Sequence, residues 1–74
     1  MRTQAQIEEL FCRLYGDLGN DPADLVHIKP MHGKWEDALS YEVTRKDNKK
    51  TLVFRKELDD GNENNIKASL SAFA

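Results

Sequence analysis

The 74 residues are 39% hydrophobic and 32% charged with a formal net charge of −2, a balance that suits a small folded domain rather than a disordered chain. A single cysteine, Cys12, excludes an internal disulfide and a cysteine-rich zinc module, and a lone thiol fits a reducing compartment. No apolar run approaches the length of a bilayer and no signal-like apolar segment follows Met1, so the expectation is a cytoplasmic protein folded as one small domain over residues 1–74.

The first segment reads TQAQIEELFCRLYGDLG. Ile7, Leu10, Phe11, Leu14 and Leu18 form one apolar stripe at helical spacing. Thr3 with Gln6 makes a capping-box pattern, and Gly19 supplies a left-handed stop. The spacing predicts a helix over residues 4–18. Asp21-Pro22 can start a short turn, because Asp caps well and Pro suits the first helical position.

LVHIK follows as a short strand, with Val26 and Ile28 on one side and His27 and Lys29 on the other. Pro30 ends that strand or confines it to a sheet edge. Leu39, Tyr41 and Val43 alternate with polar residues, and so do Leu52 and Phe54. A two-residue loop at Asp47-Asn48 would pair Val43 with Leu52 and Tyr41 with Phe54, joining their apolar faces. In the tail, Ile66, Leu70 and Phe73 fall at helical spacing behind asparagines that suit a cap, although Ile66, Ala68, Leu70 and Ala72 also alternate as a strand would. The helical reading is preferred. The predicted fold is α+β: an N-terminal helix, a three-stranded antiparallel meander and a short C-terminal helix, with the helices on one face of the sheet.

The charges are segregated. Residues 45–56 hold Arg45, Lys46, Lys49, Lys50, Arg55 and Lys56 against Asp47 alone, a local balance of +5 against −7 elsewhere. The two-residue loop would oppose Lys46 to Lys49 and Arg45 to Lys50, place Arg55 on the open sheet face beside Ser40, and set Lys56 opposite Leu39. Like charges so opposed cost stability, so these cations either blunt aggregation at a solvated rim or form a binding tip. The four tip cations are expected to be dispensable for folding and to matter only for association. No aromatic is placed there for base stacking.

Other candidate chemistry is sparse. His27 and His32 fall short of the three or four converging ligands that a metal site needs. Cys12 lies beside the apolar stripe, where a thiol behaves as a small hydrophobe, and no phosphate loop or oxyanion-hole motif accompanies it. Trp35, near Pro30 and Met31, is a core residue or a partly exposed anchor.

This order of elements resembles that of the double-stranded-RNA-binding domains, which carry a basic cluster at the start of the second helix. The corresponding stretch here reads DDGNENN, where Asp59, Asp60 and Glu63 would repel RNA, so the order alone licenses no function. In general character the chain resembles the small regulatory or accessory proteins of bacteria and their phages. The expectation is a non-enzymatic protein that binds another protein or itself, through Arg45, Lys46, Lys49, Lys50 and Arg55 with Lys29 and Trp35. The alternative is a nucleic-acid-binding module using the hairpin 45–56 and the open face (His27, Lys29, Arg55). No cofactor, metal, membrane or small-molecule substrate is expected.

Overall fold

Residues 2–74 are described by a computed structural model. Helix α1 spans Gln4–Asp17. Its capping box forms as predicted: the Gln6 amide donates to the Thr3 hydroxyl, and the Thr3 amide donates to the Gln6 side chain. Gly19, at φ 88°, takes the left-handed stop. A 3-10 turn over Pro22–Asp24, capped by Asp21, leads into strand β1, Leu25–Met31. Strands β2 (Ser40–Arg45) and β3 (Lys50–Phe54) complete an antiparallel sheet of order β1-β2-β3. Helix α2 (Arg55–Asp60) begins directly after β3, and Gly61, at φ 67°, separates it from α3, Glu63–Ser69. The molecule is therefore an α+β fold with its helices packed against the sheet.

The core lies between the sheet and the helices. Helix α1 contributes Ile7, Phe11, Leu14 and Tyr15, and the strands contribute Ile28, Tyr41, Val43 and Val53. Leu58 of α2, Ile66 of α3 and its C-cap Leu70 close one side, and Ala38 fills the approach to β2. The Phe11 and Tyr41 rings meet edge to face with centroids 6.2 Å apart, an arrangement that adds about 0.5–1.5 kcal/mol beyond the area it buries.

Hairpin register departs from expectation by one residue. The pairs are Ser40–Phe54, Tyr41–Val53, Glu42–Leu52, Val43–Thr51 and Thr44–Lys50. Three residues, Lys46 to Asn48, make the loop: the Asn48 amide donates to the Arg45 carbonyl and the Arg45 amide to that of Lys49. Asn48 stands at φ 68°, the left-handed position of a three-residue hairpin loop. Asp47 holds the turn by accepting from the Lys49 amide and from the Arg45 guanidinium.

The slip turns Val53 inward and Leu52 and Phe54 outward. It also places Thr51, a polar residue, beside Val43 on the inner side. The fold satisfies that hydroxyl, which donates to the Ser69 carbonyl at 2.7 Å. Strand alternation favours the other register because the partner that satisfies Thr51 on the buried side lies 18 residues away in the chain.

Two further expectations are corrected. Leu18, Val26 and Leu39 are exposed rather than core residues. For Val26 the cause is a bulge between Leu25 and His27, which turns Leu25 inward in its place. Arg55 and Lys56 lie in α2, not in the sheet, so Arg55 is not an open-face residue. Pro30 sits within β1 opposite Tyr41, and β1 is an edge strand, the second of the two alternatives expected for it.

Candidate docking surface

The basic hairpin is largely neutralised by the protein's own carboxylates. Lys46 does not oppose Lys49; its ammonium lies 3.1 Å from Asp24, and its amide donates to the Asp24 carbonyl. Lys50 lies on the open face 3.7 Å from Glu42. Arg45 forms a fork on Asp47, with its Nη2 at 2.6 Å, and stacks 4.8 Å from the centre of the Phe73 ring. This pairing holds the Asp47 carboxyl below its ordinary range and raises the guanidinium further. Arg45 therefore bridges the turn and the C-terminal segment, contacts that the expectation of four dispensable tip cations did not include. Lys49 alone of the four lies more than 4 Å from every described carboxylate.

Arg55, Trp35 and Tyr41 meet in a cleft of about 340 Å³ between the 32–39 loop and α2. Trp35 stacks on Tyr41 at 5.9 Å, and the Tyr41 hydroxyl donates to the Trp35 carbonyl. Burial pushes the Tyr41 pKa up, against the opposing pull of Arg55. The phenol keeps its proton and acts as a tie. Arg55 donates to Asp59 and to the Asp37 carbonyl, and Arg2 donates to the Leu58 carbonyl. Those donors serve the fold's own acceptors. Burial, with Glu8 nearby, raises the Cys12 pKa, which keeps its thiol protonated. His27 projects from the open face and His32 occupies a turn at φ 58°. Among the described residues no group of three or more His, Cys, Asp or Glu side chains could hold a metal ion. Among the described residues no helix is long and apolar enough to cross a membrane.

The open sheet face is the most distinctive surface. Its rows run Met31–Ser40–Phe54, Lys29–Glu42–Leu52 and His27–Thr44–Lys50 from β1 to β3. Phe54 is 51% exposed and Leu52 43%, while Leu39 beside them is 63% exposed and Val26 at the bulge 58%. Leu39 and Phe54 line one shallow depression with Lys56 and Asp60. Ser40 is buried at 6% between Met31 and Phe54. Its small side chain leaves a concave centre between two large ones.

Phe54 is also the N-cap of α2, and no side chain caps that helix. Asp or Ser at such a position would stabilise the helix by about 1 kcal/mol. An exposed aromatic stands where local stability favours a short polar residue.

Of the residues singled out from sequence, Lys29 and Lys50 reach this face, Arg55 and Trp35 share the cleft, and Arg45, Lys46 and Lys49 sit at the hairpin tip. Leu39, Leu52 and Phe54 were expected in the core. The signal for α2 was present in RKELDDG, a run of helix formers closed by a glycine. No protein-family model matches the chain, and no curated protein or solved structure is detectably similar to it.

Proposed function

We propose that this protein is a non-enzymatic binding module that docks a protein partner on the open face of its sheet, around Phe54, Leu52, Met31 and Leu39. The observation that carries this reading is Phe54, half-exposed at an uncapped helix start. A position that lowers stability without filling the core fits a role in recognition. Lys29 and Lys50 border the apolar row and supply a polar rim of the kind that surrounds interface anchors. Its lone thiol suits a reducing compartment, so we place its action in the cytoplasm.

The pairing of Arg45, Lys46 and Lys50 with carboxylates argues against the hairpin as a grip for nucleic acid, because phosphate would have to displace those partners. The test uses Phe54→Asp. The new carboxylate can cap α2, so the variant should fold at least as stably as the parent, by up to about 1 kcal/mol. It should lose any protein that the parent captures from its host extract after nuclease treatment. A variant that folds and retains every partner overturns the reading.

A further inference from the structure

We infer that the open face is self-complementary and that its occupant is a second copy of this chain, packed face to face as a two-sheet sandwich. The inference rests on the docking reading above and names the partner.

Three observations support it. First, both sheet edges are blunted, so association by adding strands is disfavoured. The β1 edge carries the Val26 bulge and Pro30, and the β3 edge is met at its first residue by Ala74, which exchanges two backbone hydrogen bonds with Lys50 at 3.0 Å. The face, rather than an edge, is what remains open.

Second, the apolar row maps onto itself under one two-fold axis. An axis lying between the sheets along β2 carries β1 over the second copy's β3. Met31 then meets the second copy's Phe54, twice over, with the two small Ser40 residues on the axis between them. Such aligned packing places sheets about 10 Å apart, a gap that a Phe–Met contact fills. An axis across the strands would instead set Phe54 over Lys50 and Lys29 over Lys29.

Third, the face carries both charge signs, so its charges can complement one another in an isologous interface. The two Glu42 carboxylates approach at the axis, each with its own Lys50 3.7 Å away. Lys29, which pairs with Glu42 across the strands, borders the same point. Four ammonium groups therefore surround two carboxylates.

The size of the face sets the strength. Three strands of five to seven residues present roughly 20 × 14 Å, and with side-chain relief the pair would bury on the order of 1,000 Å² in total, the lower limit for a specific interface. The dimer should form between about 10 µM and 1 mM.

Two measurements on the full chain test this. Amide shifts are followed as protein concentration rises through that range, for the parent, Phe54→Asp and Leu52→Asp. Intermolecular geometry comes from isotope-labelled parent mixed with unlabelled His27→Cys protein that carries a spin label in a Cys12→Ser background. The expected result is concentration-dependent shifts on the three strands, lost in Phe54→Asp and kept in Leu52→Asp, whose carboxylate would face the second copy's Lys29, with broadening at Lys50 to Leu52 of the labelled copy. Self-association with broadening centred on α1 overturns the two-fold arrangement. A parent that stays monomeric throughout, yet captures a different protein through Phe54, overturns self-pairing and leaves the docking reading standing. A monomer that captures nothing overturns both.

Discussion

Ile28, Tyr41, Val43 and Val53 are all buried on the inner face of the sheet, while the outer face of the same strands sets Lys29, Glu42, Leu52 and Phe54 toward solvent. The two faces follow different rules. On the inner face even the polar intruder, Thr51, has a partner in the Ser69 carbonyl. On the outer face two large apolar side chains have none. A chain of 74 residues has little apolar surface to spare, so leaving Phe54 and Leu52 outside costs stability unless another surface covers them. The contrast teaches that packing alone accounts for one side of this sheet and that recognition has to be considered for the other.

The largest effect expected comes from exchanging the character of two adjacent residues. Val53→Asp places an unpaired carboxylate in the buried core beside Tyr41 and should cost on the order of 4 kcal/mol or more, enough to unfold a small domain. Leu52→Asp, one residue away, should change stability by less than about 1 kcal/mol. Chemical denaturation of the two variants side by side checks this. Equal losses would show that the faces are not distinct and that the hairpin register is wrong.

That register was the point at which the sequence became ambiguous. The N-terminal helix was legible because its cap, its stripe and its stop agree over more than three turns. The strands were legible as strands, but a five-residue alternation can be shifted by one and remain plausible. Both Leu52 and Phe54 on one side and Thr51 and Val53 on the other contain residues that suit a buried face. What decided between them was remote: a carbonyl at the end of α3 for Thr51, and a helix beginning at Arg55 that turns the chain away after Phe54. The candidate surface was misread for the same reason, because its apolar anchors had been assigned to the core. The ion pairs at the hairpin tip were partly beyond local reading too, since Asp24 reaches Lys46 from another segment.

The next effect concerns how the inner face is closed at the Trp35 end. Gly33 stands at φ 147°, and a Cβ there would lie 2.8 Å from an Asp37 carboxylate oxygen and 3.0 Å from Ala38 Cα. That oxygen accepts from the Lys34 amide at 2.7 Å, so it is not free to retreat. Gly33→Ala should therefore cost about 2 kcal/mol and loosen the Trp35–Tyr41 stack. Thermal melts with tryptophan fluorescence report both. An unchanged melt would mean that this loop does not hold Tyr41 in the inner face.

A smaller effect separates two basic residues that look equivalent in the sequence. Arg45 points with the inner-face residues and stacks on Phe73, whose ring also meets Tyr15 at 5.9 Å. Lys49 has no carboxylate within reach among the described residues. Arg45→Gln should lower the melting temperature measurably and speed amide exchange at Ala74, whose hydrogen bond to Lys50 lies beside the stack. Lys49→Gln should leave both unchanged. Matching behaviour in the two variants would return Arg45 to the solvated rim.

The smallest effect is a dependence of stability on acid pH. Its source is the ion pairs at the rim of the molecule, not either sheet face. Hydrogen bonding from Arg45 lowers the Asp47 pKa from an ordinary 3.8, and hydrogen bonding from Arg13, 2.7 Å away, lowers that of Glu63 from 4.5. Both carboxylates are easier to ionise in the folded chain than in the unfolded one. Their contribution is therefore fully present above the ordinary carboxylate range and is lost as pH falls through it toward the depressed folded values. Because both groups are open to solvent, the loss should be slight and should shrink further as salt screens the pairs. Urea midpoints followed from neutral pH downward should decline for the parent, and the decline should flatten in Arg13→Gln and again when Arg45→Gln is added. A parent whose midpoint rises on acidification would show that these pairs are not formed in solution.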